Sequence, residues 1–337
     1  MTCVKVKVYA PVVIPTLNRF SHFSKCLDSL EACTGADQTD VFIGLDYPPS
    51  EKYFEGWNKI DKFLREKEKI NGFKSLNVIR REYNYGISGE GRNGKPLLKK
   101  VMDQYDRFIY SEDDNVFSPN FLEYINKGLE LYKNDKEILA IVGYNNNFDC
   151  KKGNNNHFAQ YAMFQAWGFG MWVNKRVNSE SQMTPAYFRK ILCNRKYWQK
   201  CYKYWPVWFN FLFRNAQSSF NYVPLHDINM SFYMLIENMK VICPTISKVR
   251  NMGFDSEATT TFLNKGRMAE RAEIENNMPI DQNATFEFVG DPFCYVDENS
   301  YNTAMWDQKW EGYKYRGMLY AYAKIFLFRL KCLLGVI

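Results

Sequence analysis

Three consecutive acidic residues, Glu112, Asp113 and Asp114, follow an apolar run at residues 108–110. The run predicts a short buried strand, so the acids lie at its carboxyl end, where open α/β sheets bind ligands. Adjacent carboxylates repel each other unless a cation joins them, and their hard oxygens suit Mg²⁺ or Mn²⁺ shared with substrate phosphates. The alternative is a solvated acidic turn, which so short a motif does not exclude by itself.

Polar side chains at two other strand ends are predicted to share this sheet edge. Asp46 closes an apolar segment at residues 39–46, where its carboxylate can accept hydrogen bonds from a base or ribose, or can organise a turn. Arg19 follows the first strand-like segment, and its planar guanidinium suits a base or a phosphate, with an ordinary surface arginine as the alternative. Further candidates for a diphosphate contact flank a glycine-containing loop: Arg80, Arg81 and Arg92.

Asp227 stands immediately before an apolar segment at residues 228–239 that suits a helix. A carboxylate there can act as a general base towards a substrate hydroxyl, or can cap the helix, and both roles are compatible in one residue. His226 is a second candidate proton carrier, because an unperturbed histidine titrates near neutral pH, although packing is the commoner role.

Aromatic residues mark two further segments. Trp167 and Trp172 bracket Gly168 and Gly170, and glycines permit close approach of the backbone to a ligand. The rings can pack on the apolar faces of sugars or belong to the core. A dense aromatic segment at residues 197–213 fits an acceptor groove, a membrane-facing patch or ordinary packing.

The elements that must position these residues alternate along the first half of the chain. Ser118 and Pro119 are predicted as the N-cap and first residue of the helix after the acidic motif. Alternating strands and helices predict parallel βαβ units and a sheet covered on both faces. A helix at 228–239 and a strand at 241–249 follow in a less regular second half. The first-half strands are predicted at 8–16, 39–46, 76–80, 108–110 and 138–142, and the helices at 20–33, 51–70, 94–105 and 118–133.

The C-terminal stretch from Gly312 to Ile337 carries five basic residues and no acidic residue. Three charges within its apolar run argue against a membrane-spanning helix. The pattern instead predicts a basic amphipathic helix that lies in a membrane interface. The alternative is a terminal helix packed on its own domain, with its lysines reaching out to solvent.

Composition narrows the classes of function. The chain has 337 residues and a net charge of +7, which fits an anionic ligand or membrane surface as well as nucleic acid. No RNA-binding motif or zinc pattern is recognisable, so we expect no nucleic-acid partner. Nine cysteines without a Cys-x-x-Cys spacing favour free thiols, and no signal peptide pattern is visible. We therefore expect a cytoplasmic protein, peripheral at the inner face of the cytoplasmic membrane.

Several segments, in order over residues 10–261, resemble bacterial glycosyltransferases of the GT-A fold. The resemblance is to the family-2-related group of nucleotide-diphospho-sugar transferases, also called hemolytic-protein-like. The Glu-Asp-Asp form of the acidic motif is similar to that of N-acetylglucosaminyltransferase I-like enzymes. The segments that carry the resemblance are residues 11–19, 84–88, 112–122, 143–145, 166–172, 226–227 and 251–255.

The resemblance implies a Rossmann-like α/β fold with a mostly parallel sheet, and an inverting hexosyltransferase that uses a nucleotide-diphosphate sugar and Mn²⁺ or Mg²⁺. It assigns Asp114 as the metal ligand and Asp227 as the general base. The implied acceptor is a glycan or lipid-linked oligosaccharide in capsule or O-antigen synthesis. The implied donor-binding residues are Pro15, Thr16, Asn18, Arg19, Asp46, Asn84, Gly86, Ser88, Arg92, Glu112, Asp113, Trp167 and Gly168.

The resemblance also implies a division of the chain. Residues 1–265 would form the GT-A domain, with a nucleotide-sugar half at 1–145 and an acceptor half at 146–265. Residues 266–337 would form an extension that ends in the basic helix at 312–337. Thr260 stands where the family often has a metal-ligating histidine, which leaves metal dependence open. The alternatives are a nucleotidyltransferase acting on sugar phosphates and a catalytically inactive adaptor with a transferase fold at a membrane surface.

Overall fold

The computed structural model describes residues 6, 8–86, 92–145, 154–205, 208–217, 227–255, 265–295 and 317–335. Three residues singled out from the sequence, Ser88, His226 and Thr260, lie outside these ranges. The chain folds into two compact units that interleave along the sequence. The first comprises Met1–Ala159, Gln165–Asn174 and Val241–Cys294, and the second comprises Gln160–Phe164, Lys175–Lys240 and Tyr295–Ile337. The assignment of donor and acceptor roles to halves divided at residue 145 stays a prediction.

The β structure of the described residues is dominated by one large sheet. The strands are β1 (Val12–Thr16), β2 (Asp40–Leu45), β3 (Ser75–Arg80), β4 (Arg107–Tyr110), β5 (Asn115–Phe117), β6 (Ile138–Val142), β7 (His157–Tyr161), β8 (Phe169–Trp172), β9 (Lys240–Pro244), β10 (Val249–Asn251) and β11 (Phe293–Tyr295). Nine of them form the sheet in the order β11-β7-β9-β6-β8-β4-β1-β2-β3. The remaining two, β5 and β10, form an antiparallel pair.

Helices flank the sheet in the first unit and dominate the second. Two short 3₁₀ turns, Ala36–Gln38 and Glu51–Tyr53, accompany them. The α-helices are α1 (Phe20–Glu31), α2 (Phe54–Lys67), α3 (Gly94–Met102), α4 (Phe121–Leu131), α5 (Val173–Gln182), α6 (Pro185–Cys193), α7 (Arg195–Tyr204), α8 (Phe209–Ala216), α9 (Asp227–Glu237), α10 (Lys265–Asn277) and α11 (Gly317–Leu333).

The predicted parallel arrangement of the first strands is confirmed. Strand β1 pairs in parallel with β2 and β4, and β2 pairs in parallel with β3. Strand β8, however, runs antiparallel to both β4 and β6, which the sequence pattern did not predict. The result is a mixed α/β fold whose sheet is mostly parallel with antiparallel strands.

Apolar packing on both faces explains why β1 forms in the interior of this sheet, between β4 and β2. Its residues Val12, Val13 and Ile14 are fully buried. Helix α1 buries the face that the sequence predicted, which carries Phe23, Leu27 and Leu30. Burial of such side chains is the main favourable term in folding, and each contributes about 1.5–3 kcal/mol.

Several predicted boundaries are wrong: β1 begins at Val12 and not at residue 8, and long-range pairing shifts two others. The helix after the acidic motif begins at Phe121 with Asn120 as its N-cap, and not at Ser118 and Pro119. The hydroxyl of Ser118 donates to Asn120 Oδ1 at 3.0 Å, while its backbone N–H donates to Lys248 O at 2.9 Å. The pairing of β5 with β10 therefore keeps the chain extended through residue 117. The strand predicted at 241–249 is divided between β9 and β10 for the same reason.

The aromatic segment of the second unit forms part of its core. Trp198, Trp205 and Phe209 are at most 4% exposed. The indole N–H of Trp205 donates to Ala162 O at 3.0 Å. Ordinary packing, one of the three predicted alternatives, accounts for these rings.

No helix within the described ranges combines the length and apolar character needed to cross a bilayer.

A buried histidine in the first unit creates a pH-sensitive point in the fold. His157 of β7 is fully buried, with Nε2 2.9 Å from the Tyr132 hydroxyl and Nδ1 3.2 Å from Asn156 Oδ1. Its ring lies 4.7 Å from that of Phe288. Desolvation lowers the pKa of His157 to about 4, because the charged imidazolium loses its hydration.

We predict that this histidine destabilises the protein in mild acid. An unfolded histidine takes up a proton below about pH 6.5, whereas folded His157 stays neutral down to about pH 4. Its contribution to stability is therefore complete above pH 6.5 and declines as the pH falls towards 4, by up to about 3 kcal/mol. Urea unfolding at pH 7, 6 and 5 should show a steeper decline for the wild type than for His157→Gln. Parallel declines in the two proteins would contradict the prediction.

Candidate active site at the carboxyl edge of the sheet

Three neighbouring parallel strands bring the predicted polar residues to one edge of the first unit. Strand β1 ends at Thr16, β2 is followed by Asp46, and β4 leads through Ser111 into the acidic motif. Because carboxyl ends of parallel strands meet at the same edge, residues far apart in sequence become neighbours there. Within the first unit, the predicted placement of acidic side chains beside the β1 loop is observed.

The two aspartates of the acidic motif are held by one arginine. Arg19 Nη2 lies 2.5 Å from Asp113 Oδ1 and 2.9 Å from Asp114 Oδ2. The other oxygens also have donors, since Thr16 Oγ1 donates to Asp113 Oδ2 at 2.8 Å and Asn251 Nδ2 donates to Asp114 Oδ1 at 3.1 Å. We call these five residues the arginine cluster. The aspartate side chains are only 11% and 8% exposed, so a solvated acidic turn does not describe them.

Burial and charge act against each other in the arginine cluster. Burial raises the pKa of the Asp114 carboxyl, and the charge of Arg19 opposes that rise. Burial also disfavours a charged guanidinium, but the two carboxylates outweigh it and raise the pKa of Arg19. With both aspartates ionised, one arginine leaves the cluster with a net charge of −1. The cluster can therefore still attract a further cation.

A loop from the far end of the first unit closes over Asp114. The backbone N–H of Met252 donates to Asp114 O at 2.8 Å, beside the side-chain bond from Asn251. A Cβ on Gly253 would lie 2.1 Å from Asp114 Oδ2, so only glycine fits this close approach. The sequence analysis missed Asn251 as a partner, because nothing in the local pattern connects two residues 137 positions apart.

Asp46 organises the loop that the resemblance assigns to donor binding. Its carboxylate accepts backbone N–H bonds from Tyr85 at 2.8 Å, Gly86 at 2.9 Å and Tyr47 at 3.0 Å. Asn84 Nδ2 adds a longer bond of 3.3 Å. Burial raises the pKa of Asp46, and the backbone donors oppose that rise. The predicted turn-organising role is observed, and contact with a nucleotide base stays a prediction.

The predicted arginines differ in the contacts that their side chains already make. Arg80 Nε lies 2.5 Å from Asp61, and its other nitrogens bind Glu68, so helix α2 engages the side chain. Arg81 donates to Asn93 Oδ1 at 3.0 Å and lies over the Tyr85 ring. Arg92 is half-buried ahead of α3. Arg81 and Arg92 therefore remain candidates, whereas Arg80 serves structure.

The remaining donor-site candidates lie in two places. Pro15 belongs to β1 opposite Gly44, and Asn18 O accepts from Phe20 N at 3.0 Å as α1 begins. Trp167 packs edge-to-face on Tyr144. Gly168 has φ +66°, and its carbonyl accepts a hydrogen bond from Gly143 N. Trp172 is buried in β8. The backbone oxygen of Glu112 accepts a hydrogen bond from the Cys26 thiol.

Asp227, the predicted general base, belongs to the second unit and is the first residue of α9. Its Oδ1 accepts from the N–H of Ile228 at 2.8 Å, which is a helix-start contact. Desolvation raises the pKa of its carboxyl. A raised pKa suits a proton acceptor near neutral pH. General-base action stays a prediction.

A pocket of about 250 Å³ adjoins the arginine cluster within the first unit. His22 Nε2 lies 2.9 Å from Asp255 Oδ2 and 3.1 Å from Met252 O, so two oxygens meet at this nitrogen. The sequence analysis missed His22, since its partner comes from the other end of the unit. The pocket shares Asn251 with the arginine cluster.

The carboxylate oxygens of the acidic motif suit a divalent ion, but the charge of Arg19 already neutralises part of their negative charge. Carboxylate oxygens of Asp113 and Asp114 are the ligands that Mn²⁺ and Mg²⁺ prefer. The position between them is taken by the guanidinium of Arg19. Among the described side chains, no group of three or more acidic, histidine or cysteine residues is arranged to hold a metal. Metal ligation by Asp114 stays a prediction, and it requires Arg19 to move.

Comparisons with known proteins give only weak likenesses. Neither a protein-family model nor a curated protein matches the sequence. Among solved structures, S. aureus TarS is 13% identical with a TM-score of 0.33, over 51% of this chain and 30% of that one. TarS 1–349 in complex with UDP-GlcNAc is 11% identical with a TM-score of 0.40, over 82% and 68% of the two chains.

A mannosyltransferase, PcManGT from Pyrobaculum calidifontis, in complex with GDP-Man and Mn²⁺, is 10% identical with a TM-score of 0.38, over 67% of this chain and 69% of that one. The first TarS match spans less than a third of that protein. Likenesses at these levels of identity and TM-score establish neither the fold family nor the activity of this chain.

We predict that Arg19→Ala lowers the free energy of unfolding by about 3–5 kcal/mol, because it leaves two buried carboxylates without a countercharge. Arg65→Ala is the control, since Arg65 also pairs with a carboxylate, that of Asp61, but is 62% exposed. We expect the control to lose about 1 kcal/mol or less. Urea unfolding at pH 7 measures both, and equal losses would contradict the central role of Arg19.

Proposed function

We propose that this chain is an inverting glycosyltransferase of the GT-A fold that uses a nucleotide-diphosphate sugar. One observation carries the proposal: the arginine cluster lies at the carboxyl edge of parallel strands, beside the loop held by Asp46. Open α/β sheets bind ligands at that edge. Transfer from such a donor needs charge stabilisation of the departing diphosphate, and charged groups held in place before reaction supply it.

The reaction assigns a role to each side chain in the proposal. Asp227 accepts the proton of the acceptor hydroxyl, whose oxygen attacks the anomeric carbon from the side opposite the diphosphate. The bond between the anomeric carbon and the diphosphate oxygen breaks with its electron pair on the nucleotide, so the configuration inverts. The Asp46 loop, with Asn84 and Gly86, holds the nucleoside, and Arg19 supplies positive charge near the phosphates.

A divalent ion is part of the proposal. Asp114 would hold Mn²⁺ or Mg²⁺, with Glu112 and Asp113 in support. When bound, such an ion neutralises charge on a leaving diphosphate. Arg19 and the ion would compete for the same carboxylate, because Arg19 Nη2 lies 2.9 Å from Asp114 Oδ2.

The proposed acceptor is a glycan or a lipid-linked oligosaccharide in bacterial capsule or O-antigen synthesis. Peripheral contact of the C-terminal segment with the inner face of the cytoplasmic membrane would bring the enzyme to such an acceptor. The basic charge of that segment supports the location, since the cytoplasmic leaflet is anionic.

A second function is favoured by a specific observation. Because Arg19, Thr16 and Asn251 engage all four oxygens of Asp113 and Asp114, the chain also fits a catalytically inactive adaptor that keeps a transferase fold. Such an adaptor would use the same edge of the sheet for structure alone.

We predict that a nucleoside diphosphate or its sugar conjugate raises the thermal unfolding midpoint, since a ligand that binds only the folded state stabilises it by mass action. The panel comprises UDP, GDP and their sugar conjugates, each with Mn²⁺ and with EDTA. Asp46→Asn should abolish the rise. Asp40→Asn is the matched control, because Asp40 is a buried carboxylate at the opposite end of β2.

The outcomes of this experiment distinguish a metal ion from Arg19 as the cation, and a donor site from an inactive adaptor. A rise that requires Mn²⁺ supports the metal, and a rise that survives EDTA supports Arg19 as the sole cation. A flat response to every nucleotide, in both conditions, would overturn the donor site and favour the adaptor.

We predict that Asp227→Asn lowers turnover by about 10²–10⁴-fold while donor binding persists, because general-base catalysis contributes that much. The assay is release of nucleoside diphosphate from the donor found above, with a lipid-linked glycan fraction as acceptor. Glu237→Gln, at the other end of α9, is the control and should keep its activity. Undiminished turnover in Asp227→Asn would remove Asp227 from the mechanism.

A further inference from the structure

The C-terminal helix α11 carries one apolar face that packs on its own unit. Ala321, Ile325 and Phe328 are at most 4% exposed. The Phe328 ring lies 5.7 Å from Phe213 of α8. These residues are spaced by four and three positions, so they share one side of the helix.

Polar contacts at the edges of that face fix the helix in place. The Tyr322 ring packs edge-to-face on Trp198 of α7 at 5.0 Å, and its hydroxyl accepts from Gln199 at 2.7 Å. Arg329 Nη2 donates to Cys193 O at 2.8 Å, where α6 ends. A cation at the C-terminus of a helix satisfies its unpaired carbonyls. The predicted packing of α11 on its unit is therefore observed.

The opposite side of α11 is also apolar, and it is exposed. We call it the outward face. Leu319 is 86% exposed, Phe326 66%, Leu330 41% and Leu333 84%. Their spacing of seven, four and three positions places them along one line of the helix, away from the packed side chains. A continuous line of large apolar residues is typical of an interaction site, whereas exposed apolar residues on other surfaces are scattered singly.

The sequence segments that contain α11 and its packing partners are basic. No aspartate or glutamate occurs between residues 181 and 226, which include α6, α7 and α8, or between residues 312 and 337. Arg195 lies next to the helix, with its guanidinium 3.0 Å from the Tyr322 hydroxyl. The basic residues of the two segments are Arg189, Lys190, Arg195, Lys196, Lys200, Lys203, Arg214, Lys314, Arg316, Lys324, Arg329 and Lys331.

The positive charge of these segments favours an anionic partner for the outward face. A second copy of the chain, related by twofold symmetry, would bring two basic surfaces together and be repelled. An anionic lipid surface complements the charge and accepts the apolar side chains. We propose that α11 lies in the interface of an anionic membrane, with the outward face inserted and the bases of α6 and α7 at the headgroups. The inference gives a surface to the peripheral contact in the proposed function, on which it rests.

Vesicle sedimentation of the full chain tests this inference. We expect binding to vesicles of phosphatidylcholine with phosphatidylglycerol, weak binding to phosphatidylcholine alone, and weakening with salt. The double variant Phe326→Ser with Leu330→Ser should lower the partition coefficient by about tenfold or more, because it removes the inserted side chains. Ile70→Ser is the matched control, since Ile70 is an 84% exposed apolar residue of the first unit.

The outcomes separate this inference from the proposed reaction. Vesicle binding needs no nucleotide. The protein can therefore bind a nucleotide donor without binding vesicles, or bind vesicles without binding a nucleotide donor. Unchanged thermal midpoints of the variants would show that they fold. Equal sedimentation of the double variant and wild type, or no wild-type binding to anionic vesicles, would overturn the inference. A wild-type dimer in light scattering that becomes a monomer in the double variant would assign the outward face to self-association instead.

Discussion

The contact between Arg19 and the two buried aspartates is the interaction on which the first unit depends. Asp113 and Asp114 are adjacent, largely buried and alike in charge, so their mutual repulsion is relieved by the cation between them. Arg19 comes from the loop after β1 and joins it to the turn after β4. Asn251 adds β10, so three segments meet at one electrostatic centre.

The buried carboxylate of Asp46 is stabilised in a different way from those of Asp113 and Asp114. Its charge is met by backbone N–H groups of residues 47, 85 and 86, which carry no net charge but form a set of aligned donors. A charge satisfied in this way fixes the shape of a loop, whereas the Arg19 pairs fix the distance between two loops. Together these polar contacts hold the edge of the sheet, which explains how polar residues can be buried there.

Sequence patterns predicted what is local and missed what is not. Strand β6 was predicted at its observed bounds, and α1 with its buried face, because both are apolar patterns within one segment. Ser118 and Pro119 form a good local helix start, but pairing of β5 with β10 overrode it. The antiparallel β8 and the bond from Asn251 to Asp114 depend on partners far along the chain, which no spacing rule encodes. Acidic residues at the end of β4 were predicted, and their arginine partner was not.

Helix α11 has the features on which both predictions for this segment were based. The sequence analysis treated packing on the unit and contact with a membrane as alternatives, because an amphipathic helix has one apolar face. This helix has two, one against Phe213 and Trp198 and one formed by residues such as Leu319 and Phe326. The inward face and its capping contact at Cys193 hold the helix whether or not a partner is present. Exposure of the outward leucines then contributes nothing to folding, and it favours any surface that removes them from water. The contacts that stabilise α11 and the face proposed to enter a membrane thus lie on opposite sides of one helix.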